Sequence, residues 1–290
     1  MDENIVLNAN VKQKDPSRAV VIAVTSDSIF DLEGEQGADS RSPANESEPL
    51  QKGVAFPFIE AVQRVNEKLV EINPEETLLF DVMLLSKNGS PESRSRIENS
   101  TVHHGLDIGR FCFCEEEDFT EPLRSNNVKM FLSKGADDVR RALEKGVPAS
   151  LLYQHGVPES SDPLRVLLIG DVLGLSDDTA PLLAEQGFSE AELQNMAAAK
   201  GAMKEFVQSV GEMRGRFGRE DSPLCTCLMT VWSCRDVCAS ALKTLRAWGL
   251  EVDEAYCLAG APRSPILAHM RPHVLYDHQL QGPHHVPAQC

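Results

Sequence analysis

Short apolar runs alternating with segments of helical spacing constrain this chain most, because that alternation leaves little besides a layered α/β fold. Residues 19–25, 78–85, 111–114, 128–132, 150–153, 164–169, 224–230, 252–259 and 273–276 read as strands. Phe58, Val62, Val65 and Leu69 recur at helical spacing up to Ile72, and Asn73-Pro74 ends that helix. Residues 136–145 form another helix. The stretch 179–217 is largely helical: Ser189 and Glu192 make a capping box, Phe188 and Leu193 a hydrophobic staple. Met196, Met203, Phe206, Val207, Val210 and Met213 form its core stripe. Ser233 and Asp236 open a further helix that Gly249 closes. The expected architecture is α/β, a mostly parallel sheet with flanking helices.

The same pass divides the chain. Residues 1–17 are expected to be a flexible N-terminus, 18–156 an N-terminal α/β half, and 164–281 a second half carrying the helical insertion 179–217. Residues 282–290 form a tail. The boundary is the segment 155–163, with Gly156, Pro158 and Pro163. Residues 31–50, acidic and rich in Ser and Gly, read as a solvated loop.

A net charge of −16 argues against nucleic acid or an anionic membrane as the main partner. The sequence has no apolar run of about 18 residues, the length a spanning helix needs. Met1-Asp2-Glu3-Asn4 is acidic and precedes no signal-like apolar segment, so the expected location is the cytoplasm. The 8 cysteines sit mostly inside apolar runs, where alternation places Cys112 with Cys114, and Cys225 with Cys227, on one face. Zinc held by Cys225, Cys227, Cys234 and Cys238 would match no familiar ligand spacing.

The run 164–169 ends at Gly170-Asp171, where an open α/β sheet places its ligand groups. A phosphatase working through an aspartyl-phosphate needs two carboxylates two residues apart, one as nucleophile and one as acid/base. This chain has Ile169 and Asp171, half of that pair. Other suitable groups follow later strands: Thr230 immediately before a helix, Arg263 within Gly260-Ala261-Pro262-Arg263-Ser264-Pro265, and Asp277 in Tyr276-Asp277-His278.

This order resembles the haloacid-dehalogenase-like phosphatases, and specifically the cytosolic 5'-nucleotidases of type I, from about residue 18 to 281. Non-catalytic strings carry the resemblance too: Gln51-Lys52-Gly53-Val54-Ala55-Phe56-Pro57-Phe58, Arg110-Phe111-Cys112, Ala241-Leu242-Lys243-Thr244-Leu245-Arg246-Ala247-Trp248-Gly249-Leu250 and Leu258-Ala259-Gly260-Ala261-Pro262. The resemblance implies a haloacid-dehalogenase-like core with a helical insertion after the first motif. It also implies magnesium-dependent hydrolysis of nucleoside 5'-monophosphates such as AMP, and homo- or hetero-oligomers with related nucleotidases. Where the family has Phe-Asp-Gly-Asp, this chain has Leu168-Ile169-Gly170-Asp171, so the nucleophile position is Ile169 and Asp171 matches the acid/base and a metal ligand. Thr230 and Arg263 fall on the phosphate-binding positions, and Asp277 on a metal position whose second aspartate is His278. The family's Thr-Ala-Arg-Ser is Thr230-Val231-Trp232-Ser233 here, which removes a basic residue. Asn88, Arg96 and Asn99 match positions that face the nucleotide.

Isoleucine has no lone pair with which to attack phosphorus, and removing the nucleophile of another hydrolase costs about a million-fold in turnover. The resemblance therefore implies an impaired enzyme, or a non-catalytic nucleotide-binding or regulatory partner of an active one. Simpler roles stand beside these. Asp171 suits a turn after Gly170, Thr230 and Ser233 suit helix caps, and Arg263 and Asp277 would pair with each other in a site without ligand. His103-His104 and His284-His285 read as solvated histidines, Lys200 and Lys204 as surface residues of a long helix. A redox-sensitive scaffold built on the cysteine-rich strand ends is a further reading.

Overall fold

The computed structural model describes residues 5–32, 48–114, 119–152, 163–185, 187–218, 221–231 and 235–276. Its first half comprises β1 (Ile5–Leu7), β2 (Val20–Thr25), α1 (Ser26–Ile29), the short pair β3 (Phe30–Asp31) and β4 (Gln51–Lys52), and α2 (Phe56–Ile72). Then follow β5 (Phe80–Ser86), α3 (Pro91–His103), β6 (Ile108–Phe113), α4 (Thr120–Ser125), β7 (Met130–Ser133), α5 (Ala136–Glu144) and β8 (Ala149–Leu152). The second half comprises β9 (Leu164–Ile169), α6 (Gly170–Leu173), α7 (Ala180–Glu185), α8 (Glu190–Arg214) and β10 (Leu224–Thr230). It closes with α9 (Arg235–Ala247), β11 (Glu254–Cys257), α10 (Ser264–Met270) and β12 (Val274–Tyr276).

Ten strands make one sheet in the order β1-β6-β5-β2-β7-β8-β12-β9-β10-β11 among the described residues. Strands β6, β5, β2, β7 and β8 are parallel to one another, and so are β12, β9, β10 and β11. The two parallel sets meet at β8 and β12, which are antiparallel, with Val274 opposite Leu152. Strand β1 adds an antiparallel edge on β6, inside the segment expected to be a flexible N-terminus. The β11 edge is parallel.

Alternation along the strands divides the core between two faces. Val20, Ile22 and Val24 of β2, Val166 and Leu168 of β9, and Leu224 and Leu228 of β10 pack with α2, α8 and α9. Val21 and Ala23 face α4 and α5. Leu167, Ile169, Cys227 and Met229 face α10. The α8 stripe is buried as its spacing predicts, and Ser189 and Glu192 form the capping box. Phe188 and Leu193 share one apolar cluster. Asn73 caps the C-terminus of α2, and Gly249 closes the α9 turn with φ +88°.

Besides β1, the elements absent from the sequence reading are α1, the β3–β4 pair, α3, α4, α6 and α10. Helix α3 lies in a largely polar segment and has three buried residues, Ile97, Ser100 and Thr101. Its periodicity is too weak to signal a helix, but Ser90 caps it by accepting from the Ser93 N–H, and Pro91 occupies the first turn. Helix α4 is short and was equally silent. The solvated loop at 31–50, the boundary at 155–163, the cap at Ser233, His284-His285 and the tail fall wholly or largely outside the described residues.

Helix α6 is pressed against α9. A β-carbon on Gly174, just after α6, would lie 2.3 Å from the carbonyl oxygen of Val237 and 2.6 Å from its Cγ1. Gly174→Ala should therefore cost about 3 kcal/mol through overpacking, seen as a lower urea midpoint with an unchanged slope. An unaltered midpoint would refute the close approach.

Candidate active site

Strand β9 delivers its last residues to the rim where β10 also ends, because the two are parallel and Met229 lies beside Ile169. The chain leaves β9 through Gly170, whose lack of a side chain is required: a β-carbon would sit 2.8 Å from Thr230 Cγ2 and 2.9 Å from Leu228 Cδ1. Asp171 follows in α6 and is 2 % exposed. Its Oδ2 accepts the Val231 N–H at 2.7 Å, tying the end of β9 to the end of β10. Thr230, the last residue of β10, is fully buried, and its Oγ1 has no hydrogen-bond partner. Burial pushes the Cys238 thiol of α9 up, and the Thr230 side chain opposes this without meeting hydrogen-bond geometry.

The loop after β11 is laced to the same rim. Leu258 N–H donates to the Thr230 carbonyl at 2.9 Å and Gly260 N–H to the Val231 carbonyl at 2.8 Å. Ala259 and Gly260 take left-handed backbone, φ 49° and 86°, which turns the chain into Arg263 at the start of α10. Arg263 is exposed. Strand β12 ends with Tyr276 beside Leu168 of β9. Asp277, His278, Trp232 and Ser233 lie outside the described residues.

Ile169, which the resemblance sets at the nucleophile position, lies in apolar surroundings. Ile169 is 3 % exposed and packs in the cluster of Leu167, Cys227, Met229, Val231, Leu267 and Met270. The described donors do not make up a magnesium site. Asp171 supplies one carboxylate, Ile169 supplies none, and no group of three His, Cys, Asp or Glu suited to a metal occurs among the described residues. The zinc arrangement also fails within those residues. Cys225 and Cys227, with Sγ atoms 3.7 Å apart, lie on the α10 face, whereas Cys238 packs on the opposite face with α9.

Asn88, Arg96 and Asn99 are not brought to this rim. Asn88 follows β5, and its Oδ1 accepts the Ser90 N–H at 3.0 Å. Arg96 lies on α3 with its Nε donating to the Glu48 carbonyl at 3.3 Å, and Asn99 is exposed on the same helix. Because β8 and β12 are antiparallel, the carboxyl ends of β5 and β9 point to opposite edges of the sheet. The two strands are also five steps apart, about 24 Å at the usual spacing. Asn88, at the end of β5, and Thr230, at the end of β10, therefore stand at opposite edges of the sheet.

Other singled-out residues have structural roles. His104 Nε2 bonds the Leu50 carbonyl at 2.8 Å, and its ring stands edge-on to Phe56 with centroids 5.3 Å apart. Lys200 is half-buried, not a surface lysine: its Nζ donates to the Leu175 carbonyl at 2.6 Å, and burial lowers its pKa. Lys204 is exposed. The sequence reading missed Asp253, which accepts from the Thr226 N–H at 2.7 Å and from Arg214 Nη2 at 2.5 Å. Burial pushes its carboxyl up, but the Arg214 guanidinium and the Thr226 donors outweigh this and hold it below the usual range.

A parallel α/β core with its polar groups at the carboxyl ends of adjacent strands, and helices inserted between the first and second of these strands, is consistent with the haloacid-dehalogenase-like class. The family model for 5'-nucleotidase matches residues 12–288. The human protein named cytosolic 5'-nucleotidase 1B is 31 % identical over 285 residues, covering 91 % of this chain and 47 % of that relative. The chain thus spans about half the length of the curated relative it matches. It belongs to the 5'-nucleotidase family. No helix among the described residues is long and apolar enough to cross a membrane.

Proposed function

We propose that this chain is a catalytically impaired 5'-nucleotidase that retains a nucleoside 5'-monophosphate site at the carboxyl ends of β9 and β10. Family membership supports the substrate class. The observation that carries retained binding is the Thr230 hydroxyl, fully buried at a strand end with no hydrogen-bond partner. Such a group is costly unless a ligand satisfies it, and a phosphate oxygen would do so. Arg263 supplies positive charge from the loop that is hydrogen-bonded to Thr230 and Val231.

The same geometry supports the loss of turnover. The isoleucine side chain at position 169 cannot attack phosphorus, and among the described residues the cluster around it holds no carboxylate or imidazole. Asp171 keeps its place, but its Oδ2 is engaged by the Val231 N–H, so it serves as a tie between strand ends. An acid/base group without a nucleophile to assist leaves binding as the remaining task. The described donors leave a magnesium ion incompletely held, and no step is assigned to it.

Titration calorimetry with AMP tests this reading. The purified chain should bind, and Thr230→Val, which keeps the shape and removes the hydroxyl, should weaken binding about 10- to 100-fold. Absence of AMP binding by the parent, or equal binding by the variant, would overturn it.

A further inference from the structure

The sheet brings a second chemistry to Thr230. Along β10, alternation places Thr226, Leu228 and Thr230 on the face covered by α9. Thr230 is paired in register with Cys257, the last residue of β11, so Cys257 shares that face. Cys238 lies in the first turns of α9, is 8 % exposed, and packs into the core cluster beneath. The register of Thr230 with Cys257 and the packing of Cys238 on the same face gather the three groups around the end of β10, and both the Thr230 and Cys257 side chains act on the Cys238 thiol. Cys257 is exposed, and neither cysteine is bridged. One thiol open to solvent and one buried beside it make up an accessible reacting sulfur and its resolving partner.

We propose that Cys238 and Cys257 form a reversible disulfide against Thr230, a redox modification site set into the phosphate-binding end of β10. Hydrogen peroxide is the oxidant class. The Cys257 sulfur attacks one peroxide oxygen, the O–O bond breaks, one water leaves, and Cys257 becomes a sulfenic acid. The Cys238 sulfur then attacks that sulfur. The S–S bond forms as the S–O bond breaks, and the displaced hydroxyl leaves as water with the Cys238 proton. Two thiols and one peroxide thus give one disulfide and two waters, and a small thiol such as glutathione reverses the bridge by exchange. Burial pushes the Cys238 thiol up, which keeps it protonated until the sulfenic acid forms beside it. Closing the bridge draws the Cys238 sulfur away from Thr230 and clamps the start of the Leu258–Gly260 turn that is hydrogen-bonded to the Thr230 and Val231 carbonyls. The effect on nucleotide binding rests on the reading under Proposed function; the disulfide itself does not.

The test treats the reduced full chain with peroxide, blocks remaining thiols with N-ethylmaleimide, and maps unreduced peptides by mass spectrometry. A Cys238–Cys257 cross-linked peptide that disappears with dithiothreitol is the expected result. Cys238→Ala should leave Cys257 as a sulfenic acid trapped by dimedone, and Cys257→Ser should leave Cys238 alkylated after denaturation. Oxidation should weaken AMP binding several-fold in the parent and leave it unchanged in both variants. Alkylation of both cysteines in the peroxide-treated parent, or a bridge from Cys257 to another cysteine, would overturn the site. A mapped bridge in a protein that binds no AMP even when reduced would uphold the disulfide and count only against the nucleotide reading.

Discussion

Purified chain incubated with magnesium and AMP should release phosphate no faster than the blank. On the proposed reading Ile169 stands at the nucleophile position, and losing such a group costs about a million-fold in a hydrolase whose catalytic residues act as a unit. Restoring the carboxylate by Ile169→Asp should not by itself restore turnover. Ile169 is 3 % exposed in a cluster of Leu167, Cys227, Met229, Val231, Leu267 and Met270, so the new carboxylate enters an apolar wall. It should destabilise the fold by about 2–4 kcal/mol, from lost apolar burial and an unsatisfied charge. On the same reading His278 still replaces a metal-binding aspartate. Phosphate release and thermal unfolding of both proteins check this. Release by the parent that vanishes in Asp171→Ala would reveal another nucleophile, and release by Ile169→Asp would show that one side chain alone disabled the site.

Arg110→Ala should cost about 3–5 kcal/mol, a fall in Tm of roughly 10 °C. Asp81 lies on β5 with its side chain 3 % exposed, and Arg110 on β6 binds its Oδ2 through Nε at 3.1 Å and through Nη2. A further Arg110 donor reaches Asn126 Oδ1 at 3.3 Å. Asp81 Oδ1 has no partner, and a β-carbon on Gly109 would fall 2.2 Å from it, so glycine is required there. Removing the guanidinium leaves a buried carboxylate uncompensated, whereas replacing both partners by apolar groups does not. The double variant Asp81→Val, Arg110→Met should therefore lie within about 2 kcal/mol of the parent. If Arg110→Ala unfolds at the parent's midpoint, the pair contributes nothing and the buried charge is solvated by another route.

The sequence alone determined the alternation of strands and helices, the core stripe of α8 with its capping box, and the family, because each is written in local periodicity or in contiguous strings. The proposal that Ile169 stands where a nucleophilic carboxylate is needed also comes from the sequence, from the Leu168-Ile169-Gly170-Asp171 string alone. Helix α3 escaped because a polar helix with a single buried apolar residue carries almost no periodic signal. Only tertiary structure decided that Asn88, Arg96 and Asn99 stand apart from Thr230, and that Cys238 and Cys257 converge on it. Both outcomes follow from strand direction and register. The three residues of β12 fill the gap between β8 and β9, pairing antiparallel with Leu151 and Leu152 and parallel with Val166, Leu167 and Leu168. Their direction sends the two halves' strand ends to opposite edges, and the one-to-one register of Thr230 with Cys257 puts that cysteine on the face that Cys238 covers.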